Sequence, residues 1–432
     1  MFRMCVDGLA TNTTTSNLVT SLSAPADPAL ALAEAARALI DRKLWDFARK
    51  AVDLALSVDP LQPNAHTLKA YLFERDGEHA RALAHWRLAA SIAPELPANR
   101  FNLALALMGA GALAEGFALQ EARLEKADWS SFAALGSFAP LRNRVPRPGQ
   151  NLASARVLAF TEQGLGDMIW AARFLPTLMV RCGQLDLACP PTLQPLLASF
   201  MEGNGSGILL GAPPDRPDAK LNLALLAETC DAFVPLMRLP HMLGHHGANA
   251  VWITPAADRV ATYRTQFAAA HLAKGPILGV VWAANPASQS ATARTFPPDI
   301  LRGLDGIGGV DARIINLQGG DPTTRAALAE VFPDCANPIA DGEPPLDDYA
   351  AMIAATDLLI TADTMAAHLA GCMGHPAFVA IPALANFYWG PAGAMTPWYP
   401  SLRLFRQEPH ADWSGVGHAL MAAVRHSHWK AR

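Results

Sequence analysis

The chain has 432 residues, enough for two or three domains that each bury a core. It is 51% hydrophobic, yet Gly and Pro interrupt it throughout, and no apolar run approaches the roughly 20 residues that would span a bilayer. A formal charge of −4 with no dense Lys/Arg block argues against a nucleic-acid surface. The six cysteines are scattered with no Cys-x-x-Cys pair, the usage of free thiols in a reducing compartment. Residues 1–28 carry a polar Ser/Thr/Asn stretch without the apolar segment of a signal peptide, and read as a disordered lead-in to a cytoplasmic protein.

From residue 29 to 130 small residues return every 34 positions: Ala36, Ala70 and Ala104; Ala48, Ala82 and Gly116; Ala55 and Ala89; with Pro60 and Pro94 in step. Small residues let paired helices approach closely, and a proline after the second helix stops it. Leu39, Phe73 and Leu107 fill the space between. The third unit is degenerate, with Arg123 in place of the second small residue and Asp128 in place of the proline. The segment resembles the tetratricopeptide family, with about three units. Such arrays present a surface to a peptide or protein; the alternative is that these helices serve only intramolecular packing.

Residues 131–150, with Pro140, Pro146, Pro148 and Arg142, Arg144, Arg147, read as a linker. Arg156–Phe160 is then a strand, followed by Gln163-Gly164-Leu165-Gly166-Asp167 and a helix from Met168 to Arg181. Ile169 stands where a dinucleotide fingerprint needs its third glycine, and no Walker loop is present. Gly164 and Gly166 instead bring backbone close to a ligand, and Asp167 either caps the helix or takes a proton from an acceptor hydroxyl. Apolar runs and helical patterns alternate afterwards through Gln184–Ala188, Leu193–Phe200, Gly207–Leu210 and Ala219–Ala227, the pattern of a parallel sheet covered by helices. His241, His245 and His246 lack a carboxylate or cysteine at metal spacing and read as loop residues.

A second α/β unit begins at Pro276–Trp282 and opens into the loop Ala283-Ala284-Asn285-Pro286. Arg294, before Thr295-Phe296-Pro297, is either a phosphate ligand or a solvated side chain. Strand Arg313–Gln318 and helix Leu346–Ala355 lead to Leu358-Leu359-Ile360, Asp363-Thr364 and the small-residue helix from Met365 to Cys372. Thr364 is placed to cap that helix, whose first N–H groups suit a diphosphate; alternatively Asp363 is the cap and His368 packs inside. Pro376–Ile381 is a further strand, and Trp398 and Tyr399 are expected to pin a terminal helix from about Asp412 to Val424.

Six segments in this order, Gln163–Asp167, Val281–Pro286, Arg294–Pro297, Leu317-Gln318, Asp363–Gly371 and Pro397–Gln407, resemble bacterial tetratricopeptide proteins with a heptosyltransferase-like glycosyltransferase domain. The resemblance covers residues 150–425. It implies α/β architecture after an all-α repeat array: a GT-B fold with an acceptor lobe at 151–260 and a nucleotide-sugar donor lobe at 261–432. It further implies inverting, metal-independent transfer, with a nucleotide-sugar as donor substrate and no cofactor. Carried over, Asp167 is the general base, with Gly164 and Gly166 as cleft backbone. Trp282, Asn285, Arg294, Thr295, Gln318, Asp363, Thr364 and His368 meet the donor. The sequence departs from the family in lacking an aspartate between Ser288 and Ala293, and its tryptophan-rich loop is reduced to Asn386–Gly390. A protein or surface-glycan acceptor would be recruited by the array. The rival reading is a non-catalytic adaptor with a degenerate transferase domain; an oxidoreductase is disfavoured by Ile169.

Overall fold

The structure, a computed structural model, describes residues 27–125, 143–203, 209–210, 228–244, 251–270, 275–288, 290–307, 310–339 and 342–427. Most of the expected disordered lead-in, Asp128, the first part of the linker, the expected helix Ala219–Ala227 and the His245-His246 pair lie outside these residues. The architecture is α/β with an N-terminal helical repeat, followed by two Rossmann-like parallel sheets in the order of a GT-B fold. Two compact units make up the chain: Met1–Trp129 with Ala383–Pro391, and Ser130–Pro382 with Ala392–Arg432. No helix among the described residues is long and apolar enough to cross a membrane.

The first unit contains α1 (Pro28–Asp41), α2 (Trp45–Val58), α3 (Pro63–Arg75), α4 (His79–Ile92), α5 (Pro97–Gly109) and α6 (Leu113–Leu119). Proline opens α1, α3 and α5, where its missing N–H would have had no intrahelical partner. The periodic small residues are the helix contacts. Ala36, Ala48, Ala55, Ala70, Ala89 and Ala104 are wholly buried, and a Cβ on Gly116 would collide with Met108 Cγ. Around them pack Val52, Leu68, Leu72, Phe73 and Trp86. The degenerate third unit ends early: α6 gives way to a 3-10 turn, Gln120–Glu125, in which buried Arg123 donates to the Gln120 carbonyl at 3.1 Å. The short turn Phe387–Trp389 belongs to this unit, with Phe387 edge-on to Phe117 at 5.9 Å.

In the second unit the first sheet has the order β3-β2-β1-β4, with β1 Leu152–Phe160, β2 Cys182–Ala188, β3 Leu209–Leu210 and β4 Ala232–Pro235, every pair parallel. The second sheet comprises β5 (Ile277–Val281), β8 (Arg313–Asn316), β9 (Leu358–Ala362), β10 (Ala377–Ile381) and β11 (Leu402–Arg406). Its order is β11-β10-β9-β5-β8, again all parallel; a small separate hairpin is formed by β6 (Gly306–Ile307) and β7 (Val310–Asp311). Strands β4, β5 and β9 are buried along their whole length, the condition that continuous apolar runs signal.

The long helix expected from Met168 to Arg181 is two helices, α7 (Leu165–Ala172) and a turn at Leu175–Met179. Pro176, without an N–H, cannot continue the ladder of α7 and takes an initial position of the next helix instead. Three further helices bear on the site: α8 (Leu346–Ala354), α9 (Met365–Met373) and α10 (Ser414–Arg425). α9 follows β9 directly and packs on α7, so the two sheets meet through the helices that begin at the carboxyl ends of their central strands.

Candidate functional site

The site is built from two strand-to-helix turns and one loop. β1 is followed by buried Thr161 and Glu162, and the Glu162 carboxylate accepts from the Met237 N–H at 3.0 Å. Gln163 follows in the left-handed region with φ 71°, and Gly164 occupies the N-cap of α7. The Gly164 N–H donates to Asp167 Oδ2 at 3.1 Å. The helix-cap role therefore exists, and it fixes the rotamer of the side chain expected to act as base.

At the second turn Asp363 is buried and Thr364 occupies the N-cap of α9. The Thr364 side chain does not cap; its hydroxyl lies 3.2 Å from that of Thr361. One turn on, His368 is buried, and its Nδ1 is hydrogen-bonded to the Tyr399 hydroxyl at 2.8 Å. Burial, with Arg173 and Arg294 nearby, lowers its pKa to about 3, so the ring is neutral. The ring edge of His368 occupies the place of a side chain at Gly166: a Cβ there would stand 2.7 Å from Cδ2 and 3.2 Å from Nε2. The glycine of the first turn is thus required by the histidine of the second.

Arg294 closes the constellation from the loop after β5. Its Nη1 donates to the Asp363 carbonyl at 2.9 Å and its Nη2 to Ser288 Oγ at 2.7 Å, while Nε is buried without a hydrogen-bond partner. The Trp282 indole N–H, on the same loop, is also buried and unpaired. Glycine turn, Asp363 turn and arginine loop are brought together.

The other expected donor residues shape that loop. Gln318 Oε1 accepts from the N–H groups of Trp282 at 3.0 Å and Ala283 at 2.8 Å, and its Nε2 donates to the carbonyls of Ala283 and Gly319 at 3.2 and 2.9 Å. Those four bonds use the whole capacity of the amide, so its side chain is a brace of the loop rather than a contact for a nucleotide base. Thr295 Oγ1 accepts from the Ala284 N–H at 3.1 Å. Exposed Asn285 forms the turn, accepting from the Ala287 N–H at 2.9 Å.

One residue of the helix interface, Arg173, was not expected to matter here. Buried Arg173, just past α7, donates to the carbonyls of Trp170 at 2.9 Å and Trp398 at 3.1 Å and to Cys372 Sγ at 3.7 Å. Its guanidinium lies 4.6 Å from the centre of the Tyr399 ring. Tyr399 in turn covers Gly371, where a Cβ would collide with ring carbon Cδ1. Trp398 meets Trp170 edge-on at 5.0 Å. Trp398 and Tyr399 thus pin α7 and α9 together, whereas Trp413 and Phe405 share the core that holds α10. The signal available in the sequence was a charged Arg173 inside the apolar stretch Ile169–Leu175.

No family model matches the chain. It is similar to Protein FlbA of Caulobacter vibrioides, 29% identical over 401 residues, covering 86% of this chain and 63% of that one, and so spans less than two thirds of that relative's length. Among solved structures it is similar to E. coli ADP-heptose lps heptosyltransferase II, with TM-score 0.41, 15% identity, 62% of this chain and 98% of that chain. For the glycosyl transferase family 9 from Veillonella parvula the values are 0.40, 14%, 60% and 87%. For a mutant of the Thermobaculum terrenum O-GlcNAc transferase they are 0.33, 14%, 93% and 93%.

Proposed function

We propose that the chain is a glycosyltransferase that moves a sugar from a nucleotide-sugar donor, with inversion and without a metal, to a protein or surface-glycan acceptor recruited by the helical array. The observation that carries this reading is the convergence of Gly166 on His368 and of Arg294 on Asp363, which gathers three segments far apart in sequence. Asp167 takes the proton of the acceptor hydroxyl as that oxygen bonds to the anomeric carbon. The bond from that carbon to the diphosphate breaks, and the charge left there is met by Arg294 and the start of α9. The unpaired Arg294 Nε and Trp282 N–H are donors that an anionic ligand would satisfy.

Asp167→Asn tests the base. The amide oxygen can still accept from the Gly164 N–H, so the turn is kept, but the group can no longer take a proton. Transfer should fall about 10²- to 10⁴-fold with nucleotide binding unchanged. Unaltered transfer to the true acceptor would remove Asp167 from the chemistry.

The second reading, an adaptor without catalysis, is favoured by the commitment of Asp167 to its own helix cap and of Gln318 to its own loop. Calorimetry of the folded chain with nucleoside diphosphates and nucleotide sugars separates the two, since an adaptor would bind none of them.

A further inference from the structure

We propose that α2 carries a self-complementary docking face, through which two copies of the chain pair with their α2 helices antiparallel. Within α2, Phe47, Ala51, Leu54 and Val58 are spaced by four, three and four residues, and Leu44 and Leu61 extend the pattern just beyond its ends. Apolar residues recurring about every 3.5 positions form one stripe, the seam along which a helix receives another helix. The stripe is open: its five large side chains are 42% to 64% exposed, and they are half of the ten large apolar side chains exposed among the described residues. The face that α2 turns to its own array is a different one, with Ala48, Val52 and Ala55 wholly buried. Nor does the repeat require the stripe. One period on, where Ala48 and Ala55 recur as Ala82 and Ala89, the stripe positions hold Glu78, Arg81, His85, Leu88, Ile92 and Glu95.

Size and charge select a second copy as the occupant. Laying a reversed α2 against the first brings Leu44 to Leu61, Phe47 to Val58 and Ala51 to Leu54, so every layer pairs residues of the same stripe and the small residue meets a large one beside the two-fold axis. Lys43, exposed with Arg42 at one end of the stripe, then comes to the end where Asp59 stands, and exposed Lys50 comes level with Ser57. A parallel pair would instead set Lys43 and Lys50 against their own copies. The five large side chains together expose on the order of 500 Å² per copy, the size of patch that marks an interaction site. That is less than the roughly 800 Å² per partner of a standard interface, so the pair is weak, with a Kd on the order of micromolar. No residue of the candidate transferase site takes part in it.

Sedimentation equilibrium of the full chain, from about 1 to about 200 µM, should show a reversible monomer–dimer equilibrium. Phe47→Glu places a charge at an exposed position outside the core of the array, so it should fold as the wild type does and weaken the dimer about tenfold or more. Oxidative cross-linking reads the register. A mixture of Phe47→Cys and Val58→Cys chains should form a mixed disulfide above the wild-type background. Phe47→Cys alone should not, because antiparallel copies of residue 47 stand about 16 Å apart along the helix axis, beyond the reach of a disulfide. A full chain that stays monomeric overturns the proposal, and dimers that form only after removal of residues 1–26 would overturn it by making that segment the occupant. A dimer indifferent to Phe47→Glu uses another surface and overturns it as well. Self-linkage of Phe47→Cys chains overturns the antiparallel pairing.

Discussion

Gly371 illustrates how much of this molecule is decided by the absence of a single carbon. The Tyr399 ring lies where a side chain would begin, with Cδ1 and Cγ in the path of an added Cβ, and the ring is fully buried with no room to retreat. Gly371→Ala should therefore destabilise the fold by about 1–3 kcal/mol, the range of overpacking in a closed core. Because Tyr399 also holds His368, the variant should disturb the imidazole signals of His368 at temperatures where the protein is still folded. Thermal unfolding followed with those signals checks both effects, and an alanine accommodated with neither would mean that the ring moves freely. Gly166 is the counterpart on α7, tight against a histidine instead of a tyrosine.

At the scale of elements, the pairing of α3 with α4 contains a carboxylate in an unusual state. The Trp86 indole N–H donates to Glu74 Oε1 at 2.9 Å, and burial raises the Glu74 pKa from 4.5 to about 7 despite that bond. The folded state thus binds the proton more tightly than the unfolded chain, and stability falls as pH rises from about 4.5 to about 7, then levels off. The loss amounts to at most about 1.4 kcal/mol for each pH unit in that window. Glu74→Gln keeps an oxygen for Trp86 but carries no charge. Denaturant unfolding at several pH values should show the variant gaining on the wild type as pH rises, and a constant difference would refute the assignment. The array was legible because one period places its small residues, and those residues are the buried contacts between helices. Glu74 was not, since nothing in its local spacing distinguishes a half-buried carboxylate from a solvated one. The break after α7 was misread for a similar reason: the apolar run is continuous, and only Pro176 divides it.

For the whole molecule, the succession of a helical array and two sheets could be read from apolar runs, whereas the contacts that define the site could not. Gly166 with His368, Arg294 with Asp363 and Arg173 with Trp398 join residues far apart in the chain, and such pairings leave no local pattern. They also tie the first sheet of the second unit to the second through α7 and α9. Trp170 of α7 is wholly buried against Trp398, Arg173 reaches from the end of α7 to the Trp398 carbonyl, and Cys372 of α9 packs beneath Ile169. Trp170→Ala removes one of the two tryptophans of that contact and should cost about 3–5 kcal/mol. If the sheets unfold as one, native-state hydrogen exchange should lose protection equally in β1 of the first sheet and β9 of the second, although Trp170 is covalently part of only the first. Loss confined to β1 would mean instead that each sheet is stabilised by its own core and that the α7–α9 contact merely rests one on the other.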